Sequence, residues 1–332
     1  MNRVLVLILS LVTMSGWGQT SEEMDNKVRL IWRDLDKNVK YRDEQISYHA
    51  QIFIGACNYE VLINDFPIDI YFGPANGASN GSHAINTTIL KSGVQTWKIR
   101  VYPIHDRERI DGNPYDISRP LIEEGARVEF SVEALRFRDE GGVDILDNKV
   151  FAFSAPLVTS EKNGSNVFAD AGKPYVEYSG TFIAKVPYEL KGWSESVDLS
   201  KEKIEKLTEE VEGVYNKYRN WMQNRQLDKI AESKLNAEKE RAQVLFYTRA
   251  DNEQHTASFI KMAGQSGIQM LPIEKSKIKF YGNGRVIALE RSDVLELPSL
   301  IGEYEENGRM RMRYLYIYFH RPNPGAPLEV IR

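Results

Sequence analysis

The most varied set of chemically active side chains lies in a run near the end of the sequence, from residue 309 to residue 321. If this run is a strand, alternate residues point to opposite faces of a sheet. One face then carries Leu315, Ile317 and Phe319, which suit a dry core. The other face carries hydroxyl and imidazole groups that can meet a partner at a half-wet surface. We predict a binding cleft on this second face, formed by Met312, Tyr314, Tyr316, Tyr318 and His320.

A second interpretation of this tyrosine face stays open. Aromatic side chains on neighbouring antiparallel strands commonly stabilise a sheet by pairing with one another, without any ligand. Replacement of Tyr316 and Tyr318 by phenylalanine separates the two interpretations, because only a binding cleft depends on the hydroxyl groups.

No catalytic or metal-binding motif stands out elsewhere in the sequence. His105 lies beside two carboxylates, but in a predicted loop without the fixed spacing of metal ligands. The single cysteine, Cys57, closes an apolar run and is expected to be a buried, unreactive thiol. Carboxylate pairs that could hydrolyse glycosides occur, such as Glu129 with Glu133, but chance accounts for them. We therefore lean towards a protein that is not an enzyme, and we predict no cofactor and no metal.

The composition limits the classes of partner. Among 332 residues there are 43 Lys and Arg against 47 Asp and Glu, which gives a formal net charge of -4. This balance lacks the basic field that a phosphate backbone requires, so nucleic acid is not expected as a partner. The length suggests two domains, each large enough to bury its own core.

The first 18 residues have the pattern of a signal peptide. Arg3 precedes an apolar run from Val4 to Met14, and Gly16 and Gly18 supply the small residues of a cleavage site. The apolar run is shorter than the roughly 20 residues that span a bilayer, and no later segment approaches that length. The sequence therefore predicts a secreted or periplasmic protein with no integral membrane segment in the mature chain.

The next segments change from helical to strand-like periodicity. Residues 20–43 form a predicted helical lead-in, because apolar residues recur there at helical spacing. Residues 44–191 contain short apolar runs separated by turn-rich segments, which is typical of an antiparallel β-sandwich. In two of these strands apolar and polar residues alternate strictly, which predicts that one face of each is buried. The predicted buried residues are Trp97, Ile99 and Val101 in one strand and Val128, Phe130 and Val132 in the other.

One hairpin in this region resembles a known module. Residues 85–101 are similar to the strand, L-x-x-G-x-N, strand hairpin of galactose-binding-like jelly-roll modules, with Leu90 and Gly93 in place. Gln95 stands where asparagine is usual. The resemblance covers a small part of the segment, and it implies a jelly-roll-like sandwich topology more than a sugar-binding activity.

Residues 192–332 are predicted to form an α+β domain. A long helix is expected over about residues 200–224, with an extension to residue 247 as an alternative, and a short helix over 252–263. Two antiparallel hairpins follow, the first with a tight turn at Gly282-Asn283-Gly284. This order of elements resembles the layout of cystatin-like and nuclear-transport-factor-2-like domains. The apolar residues that recur at heptad spacing in the long helix are Ile204, Leu207, Val211, Val214, Tyr218 and Trp221.

These features together predict an α+β, two-domain, exported binding protein of the bacterial envelope. It resembles exported bacterial proteins of unknown function, and we expect another protein as its partner, in an immunity-like or scaffold role. The first alternative is a carbohydrate-binding or carbohydrate-hydrolysing protein that uses the sandwich and an aromatic cleft. A hydrolase would need two carboxylates facing each other at roughly 5 to 10 Å, whereas a binding protein would not. A small apolar ligand beneath Tyr314 and Tyr316 is a third possibility.

Overall fold

The structure is a computed structural model that describes residues 21–73, 78–104, 119–138, 140–294 and 297–332. The predicted signal peptide and the loop at His105 lie outside these residues. The fold is α+β, as the sequence predicts: strands fill the first half of the chain, and helices followed by strands fill the second. None of the helices in the described ranges is long and apolar enough to cross a membrane. The helices are α1 (Ser21–Ile31), α2 (Ile204–Gln223), α3 (Leu227–Val244) and α4 (Arg249–Ala263).

Two four-stranded antiparallel sheets form a sandwich in the first half of the chain. The first sheet has the strand order β4-β1-β6-β7, and the second has the order β10-β5-β2-β3. Two further short strands, β8 and β9, pair with each other. The strands are β1 (Ser47–Gly55), β2 (Asn58–Ile63), β3 (Phe66–Tyr71), β4 (Ala78–Ala84), β5 (Gly93–Tyr102), β6 (Arg127–Phe137), β7 (Val143–Ser154), β8 (Leu157–Thr159), β9 (Asn166–Phe168) and β10 (Val176–Ala184).

The sandwich core follows the alternation in the sequence. The inward-facing residues of β5 and β6 that the sequence predicts are all buried, from Trp97 at 4% exposed to Val132 at 0%. The Trp97 ring lies 5.8 Å from the Phe130 ring across the two sheets and 4.9 Å from the Phe153 ring. Aromatic pairs at such distances contribute about 0.5–1.5 kcal/mol each beyond the burial of their area. The predicted buried faces are therefore confirmed.

The segment before β5 differs from the prediction. Residues 85–90 contain a 3-10 turn at Asn86–Thr88 instead of a strand, so only the second strand of the jelly-roll-like hairpin is present. The Asn86 side chain explains the difference, because its Oδ1 accepts from the Tyr48 amide at 2.6 Å and its amide donates to the Ile46 carbonyl at 2.9 Å. These bonds tie the turn to the start of β1, and the Thr88 hydroxyl adds a local bond to the Ile85 carbonyl, at 2.7 Å, which competes with strand pairing.

The lead-in helix α1 is present, and it packs with the helices of the second half. Val28 and Trp32 are fully buried in the same apolar core as α2, α3 and α4. The Trp32 indole also donates a hydrogen bond to the Ala231 carbonyl on α3, at 3.0 Å. The beginning and the end of the described chain therefore share one core.

The long helix ends at Gln223, and a separate helix follows. Arg225 has a left-handed backbone conformation with φ of 51°, which interrupts the helical hydrogen bonding before α3 begins. The alternative of one helix reaching residue 247 is thus wrong. Ile204 is 48% exposed, whereas Tyr215 is buried, because the buried face of α2 follows a repeat of 3.6 residues more closely than a heptad. The buried residues of α2 are Leu207, Val211, Tyr215, Tyr218 and Met222.

The strands of the second half form two small sheets. One has the order β11-β14-β15, and the other has the order β12-β13-β16-β17. The hairpin that turns at residues 282–284 is confirmed, and so is the hairpin between β14 and β15. These strands are β11 (Gln269–Met270), β12 (Ser276–Tyr281), β13 (Val286–Arg291), β14 (Ile301–Glu306), β15 (Arg309–Tyr314), β16 (Phe319–His320) and β17 (Glu329–Val330).

A third apolar core joins the sandwich to the helical half. Leu62 and Phe66 from the sandwich pack with Trp193, Tyr281 and Ile331 from the rest of the chain. The Phe66 and Trp193 rings stack at an interplanar angle of 27°, with centroids 5.1 Å apart. The two halves are therefore in direct contact through buried apolar surface.

Candidate functional site

The premise of the predicted tyrosine cleft, one continuous strand over residues 309–321, is wrong. β15 ends at Tyr314 in one sheet, and β16 begins at Phe319 in the other. Between them the Tyr318 amide donates to the Arg332 carbonyl, so the chain crosses from one sheet to the other. Strand propensity alone does not reveal this break, because its cause is pairing with two different sheets.

The residues of the predicted cleft consequently separate. Met312 is half-buried on β15, Tyr314 is 38% exposed, and Tyr316 is 47% exposed in the connection. Tyr318 packs in the third core, with its ring 4.7 Å from Phe66 and 5.7 Å from Tyr281. The structure thus gives Tyr318 a packing role that the alternation of the sequence does not indicate.

His320 is buried and forms a hydrogen-bonded pair with a serine. Its Nδ1 lies 2.7 Å from Ser196 Oγ, and the two residues are 7% and 5% exposed. Burial, together with the nearby charges of Arg332 and Lys191, lowers the pKa of His320 to about 4. A serine beside a neutral imidazole could act as a nucleophile only if a substrate reached it, and this burial excludes that. We interpret the pair as structural.

An open groove of about 590 Å³ crosses the solvent-exposed face of the first sheet. Strand register places its side chains in two rows, each with one residue from each of the four strands. We call this surface the sheet groove. The first row is Asn80, Phe53, Glu129 and Ser154, and the second row is Ser82, Gln51, Ser131 and Ala152.

A bulge in β7 adds side chains to the lining of the groove. Val132 pairs with Phe151, and Ala134 pairs with Asp147. One residue of β6, Glu133, therefore lies opposite three residues of β7, at positions 148–150. Two of those three, Asn148 and Lys149, line the groove. Bulges redirect side chains in this way, and they are enriched beside functional sites.

The polar side chains at one end of the groove are hydrogen-bonded to one another. The Gln51 amide donates to Ser82 Oγ, at 3.0 Å, and to Glu133 Oε1. His49 extends this cluster, with Nε2 3.1 Å from Ser47 Oγ, and burial lowers its pKa. The rest of the groove differs: within the described residues, no hydrogen bond or ion pair involves the side chains of Asn80, Glu129, Ser131, Asn148 or Ser154.

The spacing of Glu129 and Glu133 argues against glycoside hydrolysis by this pair. Glu129 and Glu133 are on the same face of β6, four residues apart. Four residues of strand span about 13 Å, which exceeds the roughly 5 to 10 Å between paired catalytic carboxylates.

The end of the first sheet beyond the groove exposes several apolar side chains beside the charged cross-strand pair Arg136 and Asp144. Cross-strand pairing aligns Phe137 with Val143 and Leu135 with Ile145. Four apolar residues here are exposed, and Ile145 reaches 63%. We call the four the β6–β7 tip: Phe137, Val143, Ile145 and Leu146.

A cavity of about 670 Å³ lies next to the tip, between the sandwich and the helical half. Phe137 and Arg138 line it from the tip, and Arg42 and Phe246 line it from the other side. Arg42 is held in place by a hydrogen bond to the Tyr247 carbonyl. The cavity therefore combines an apolar lining with two guanidinium groups and the carboxylate of Asp251, and Arg138 also forms an ion pair with Asp144, at 3.6 Å.

A buried polar cluster connects the two halves of the chain. Glu60 on β2 and Glu290 on β13 are 4% and 5% exposed, and Lys279 on β12 forms ion pairs with both. Arg100 donates to Glu60 at 3.0 Å, and the Tyr281 hydroxyl donates to Glu290 at 2.6 Å. We call these five residues the junction network.

Charge compensation stabilises the ionised form of Glu60 in the junction network. Burial alone would raise the pKa of Glu60, but the ammonium of Lys279 and the guanidinium of Arg100 together lower it. The closed, fully paired arrangement is that of a structural ion network.

Other candidate chemistry is limited in the described part of the chain. No group of three His, Cys, Asp or Glu side chains there could hold a metal ion. Cys57 is buried, as predicted, and burial raises the pKa of its thiol to about 12, so it is unreactive at neutral pH. Comparisons with protein-family models, with curated proteins and with solved structures found no match to this chain.

Proposed function

We propose that this is an exported, non-enzymatic protein of the bacterial envelope that binds another protein through the β6–β7 tip. An immunity-like or a scaffold role would both use such a surface. The observation that carries the proposal is the group of exposed apolar side chains at the tip, with Ile145 63% exposed and Phe137 46% exposed. Contiguous exposed apolar surface on a folded chain typically marks a contact with another macromolecule.

The position of the tip in the sheet supports the same conclusion. β7 is an edge strand of the first sheet. Edge strands present unpaired backbone groups, and a partner can add a strand there. Burial of an aliphatic side chain such as Ile145 contributes about 1.5–3 kcal/mol when it is complete. Burial of several of these side chains would therefore supply part of the binding free energy, against the cost of association.

The neighbouring cavity indicates what the partner would present. Its apolar lining at Phe137 and Phe246 suits an apolar side chain. The two guanidinium groups beside it already have acceptors within the fold, and Asp251 adds a carboxylate to the lining. We therefore propose a partner segment that places an apolar anchor in this cavity.

Site-specific photo-crosslinking in the source cell tests this proposal. A photoreactive amino acid at position 145 of the full chain should give one discrete adduct with another protein. The same residue at position 162, where the lysine side chain is 83% exposed, is the matched control and should give none. Ile145→Asp should abolish the adduct formed from position 143 while thermal unfolding stays unchanged. Absence of an adduct from positions 143, 145 and 146, or an adduct only with a second copy of the chain, would refute the proposal.

A further inference from the structure

We infer that the sheet groove is a second, independent binding site and that its ligand is a neutral carbohydrate. The inference does not depend on the β6–β7 tip, because it rests on different side chains of the same sheet. Three features of the groove carry it: unpaired hydrogen-bonding groups, one exposed aromatic ring and a lining shaped by the bulge.

The first feature is hydrogen-bonding capacity that the described fold does not use. The Glu129 carboxylate only accepts, whereas the amides of Asn80 and Asn148 and the hydroxyls of Ser131 and Ser154 both donate and accept. None of these five side chains has a hydrogen-bonding partner in the described part of the chain. A sugar presents closely spaced hydroxyls that likewise donate and accept, so it can satisfy this mixed set.

The second feature is the position of Phe53. Its ring is 38% exposed, and its register partners on either side are Asn80 and Glu129. An aromatic surface between polar groups suits the C–H face of a sugar ring, whose edge carries the hydroxyls. An apolar peptide or a lipid would need a wider apolar lining, but the other outward apolar side chain in the two rows is Ala152.

The third feature is size and shape. The volume of about 590 Å³ lies in the usual range for small-ligand sites. The bulge brings Asn148 and Lys149 into the lining, and the pairing of four strands fixes the two rows. Backbone pairing therefore fixes the positions from which these side chains project, and a ligand has to order only their rotamers.

The charges of the groove select against acidic ligands. Its lining contains one carboxylate, Glu129, and one ammonium, Lys149. An anionic polysaccharide or a phosphate chain would require several cations. The spacing of Glu129 from Glu133 also disfavours hydrolysis by that pair, so the sugar is expected to be bound and not cleaved.

Affinity electrophoresis of the purified mature chain tests the inference. The protein would be run through native gels that contain a neutral glucan, mannan, xylan or galactan, one per gel, with a polysaccharide-free gel as reference. We expect slower migration with at least one of the four. Phe53→Ala, Glu129→Gln and Asn148→Ala should each weaken the apparent affinity about tenfold, the loss expected for one stacking or hydrogen-bonding contact.

Matched controls separate the groove from the rest of the surface. Phe137→Ala removes the exposed phenylalanine of the tip, and Glu124→Gln neutralises a carboxylate that is 55% exposed outside the groove. Relative to the polysaccharide-free gel, both variants should be retarded as much as the wild type is. Unretarded migration with all four polysaccharides, or retardation that the groove substitutions leave unchanged, overturns the inference. Neither result bears on the tip, which the crosslinking experiment tests separately.

Discussion

The sheet groove and the junction network use similar residues for opposite purposes. Each contains at least one carboxylate, a lysine and an aromatic ring, and each draws on strands of the same sandwich. In the junction network the carboxylates of Glu60 and Glu290 are buried and paired. In the groove Glu129 is exposed and has no partner among the described residues. The comparison indicates that polar groups satisfied within the fold stabilise it, whereas unsatisfied groups at an open surface remain available to a ligand.

The energetic consequences of this difference are asymmetric. Removing one member of a buried ion network leaves the other charges without compensation, which costs much more than the network contributes as a whole. Removing an exposed polar side chain costs little, because water already solvates it. Stability measurements can therefore distinguish the two regions without knowledge of any ligand.

The largest effect is expected from Lys279→Met. This substitution removes the ammonium between Glu60 and Glu290, which are 4% and 5% exposed. We expect the free energy of unfolding to fall by about 3–5 kcal/mol, the range for breaking a buried ion pair. Urea denaturation followed by circular dichroism would measure the loss.

A triple variant is the control for this substitution. Lys279→Met combined with Glu60→Gln and Glu290→Gln removes both orphaned charges, so it should recover much of the lost stability. If the single variant were as stable as the wild type, the junction network would not stabilise the contact between the two halves.

A smaller, pH-dependent effect is expected from His320. Its pKa in the folded chain is about 4, below the ordinary value of 6.5. Between pH 6.5 and pH 4 the unfolded chain therefore binds a proton at this residue, whereas the folded chain does not. Stability from this group is therefore complete above pH 6.5 and falls as the pH drops towards 4. Linkage gives a loss of about 2 kcal/mol between pH 7 and pH 5.

The variant His320→Gln isolates this contribution. Between pH 7 and pH 5 the free energy of unfolding should depend less steeply on pH than in the wild type. The difference in slope should correspond to the uptake of about one proton on unfolding. The slope is the informative quantity, because the substitution can also lower stability uniformly by changing the contact with Ser196. An unchanged slope would mean that His320 titrates normally and is accessible to water, as a binding cleft would require.

Much of the fold could be predicted from local patterns. Alternation in Trp97, Ile99 and Val101 identifies the buried face of β5, because a strand on a core buries every second residue. Periodicity likewise identifies α2, although Tyr215 is missed because the helix follows a repeat of 3.6 residues. These features depend on neighbours in sequence, and the sequence displays them directly.

The arrangement of the sites could not be predicted in the same way. Phe53, Asn80 and Glu129 are neighbours only because three strands pair in a particular register. Glu60 and Lys279 meet across 219 residues of sequence. The break after Tyr314 has the same origin, since residues on either side of it pair with different sheets. Tertiary pairing determines all three, and no local propensity encodes it.

The smallest effect is expected in the sheet groove. The triple variant Asn80→Ala, Glu129→Gln and Asn148→Ala removes three exposed side chains that have no partner within the described ranges. Each change should alter the free energy of unfolding by less than about 0.5 kcal/mol, and the three together by less than about 1.5 kcal/mol. A thermal unfolding curve close to that of the wild type would support the contrast with Lys279→Met. A loss of several kcal/mol would instead show that these side chains stabilise the sheet, because only side chains that make contacts within the fold can reduce the free energy of unfolding by that amount. The groove would then be a second structural network, and its polar groups would no longer be available for recognition.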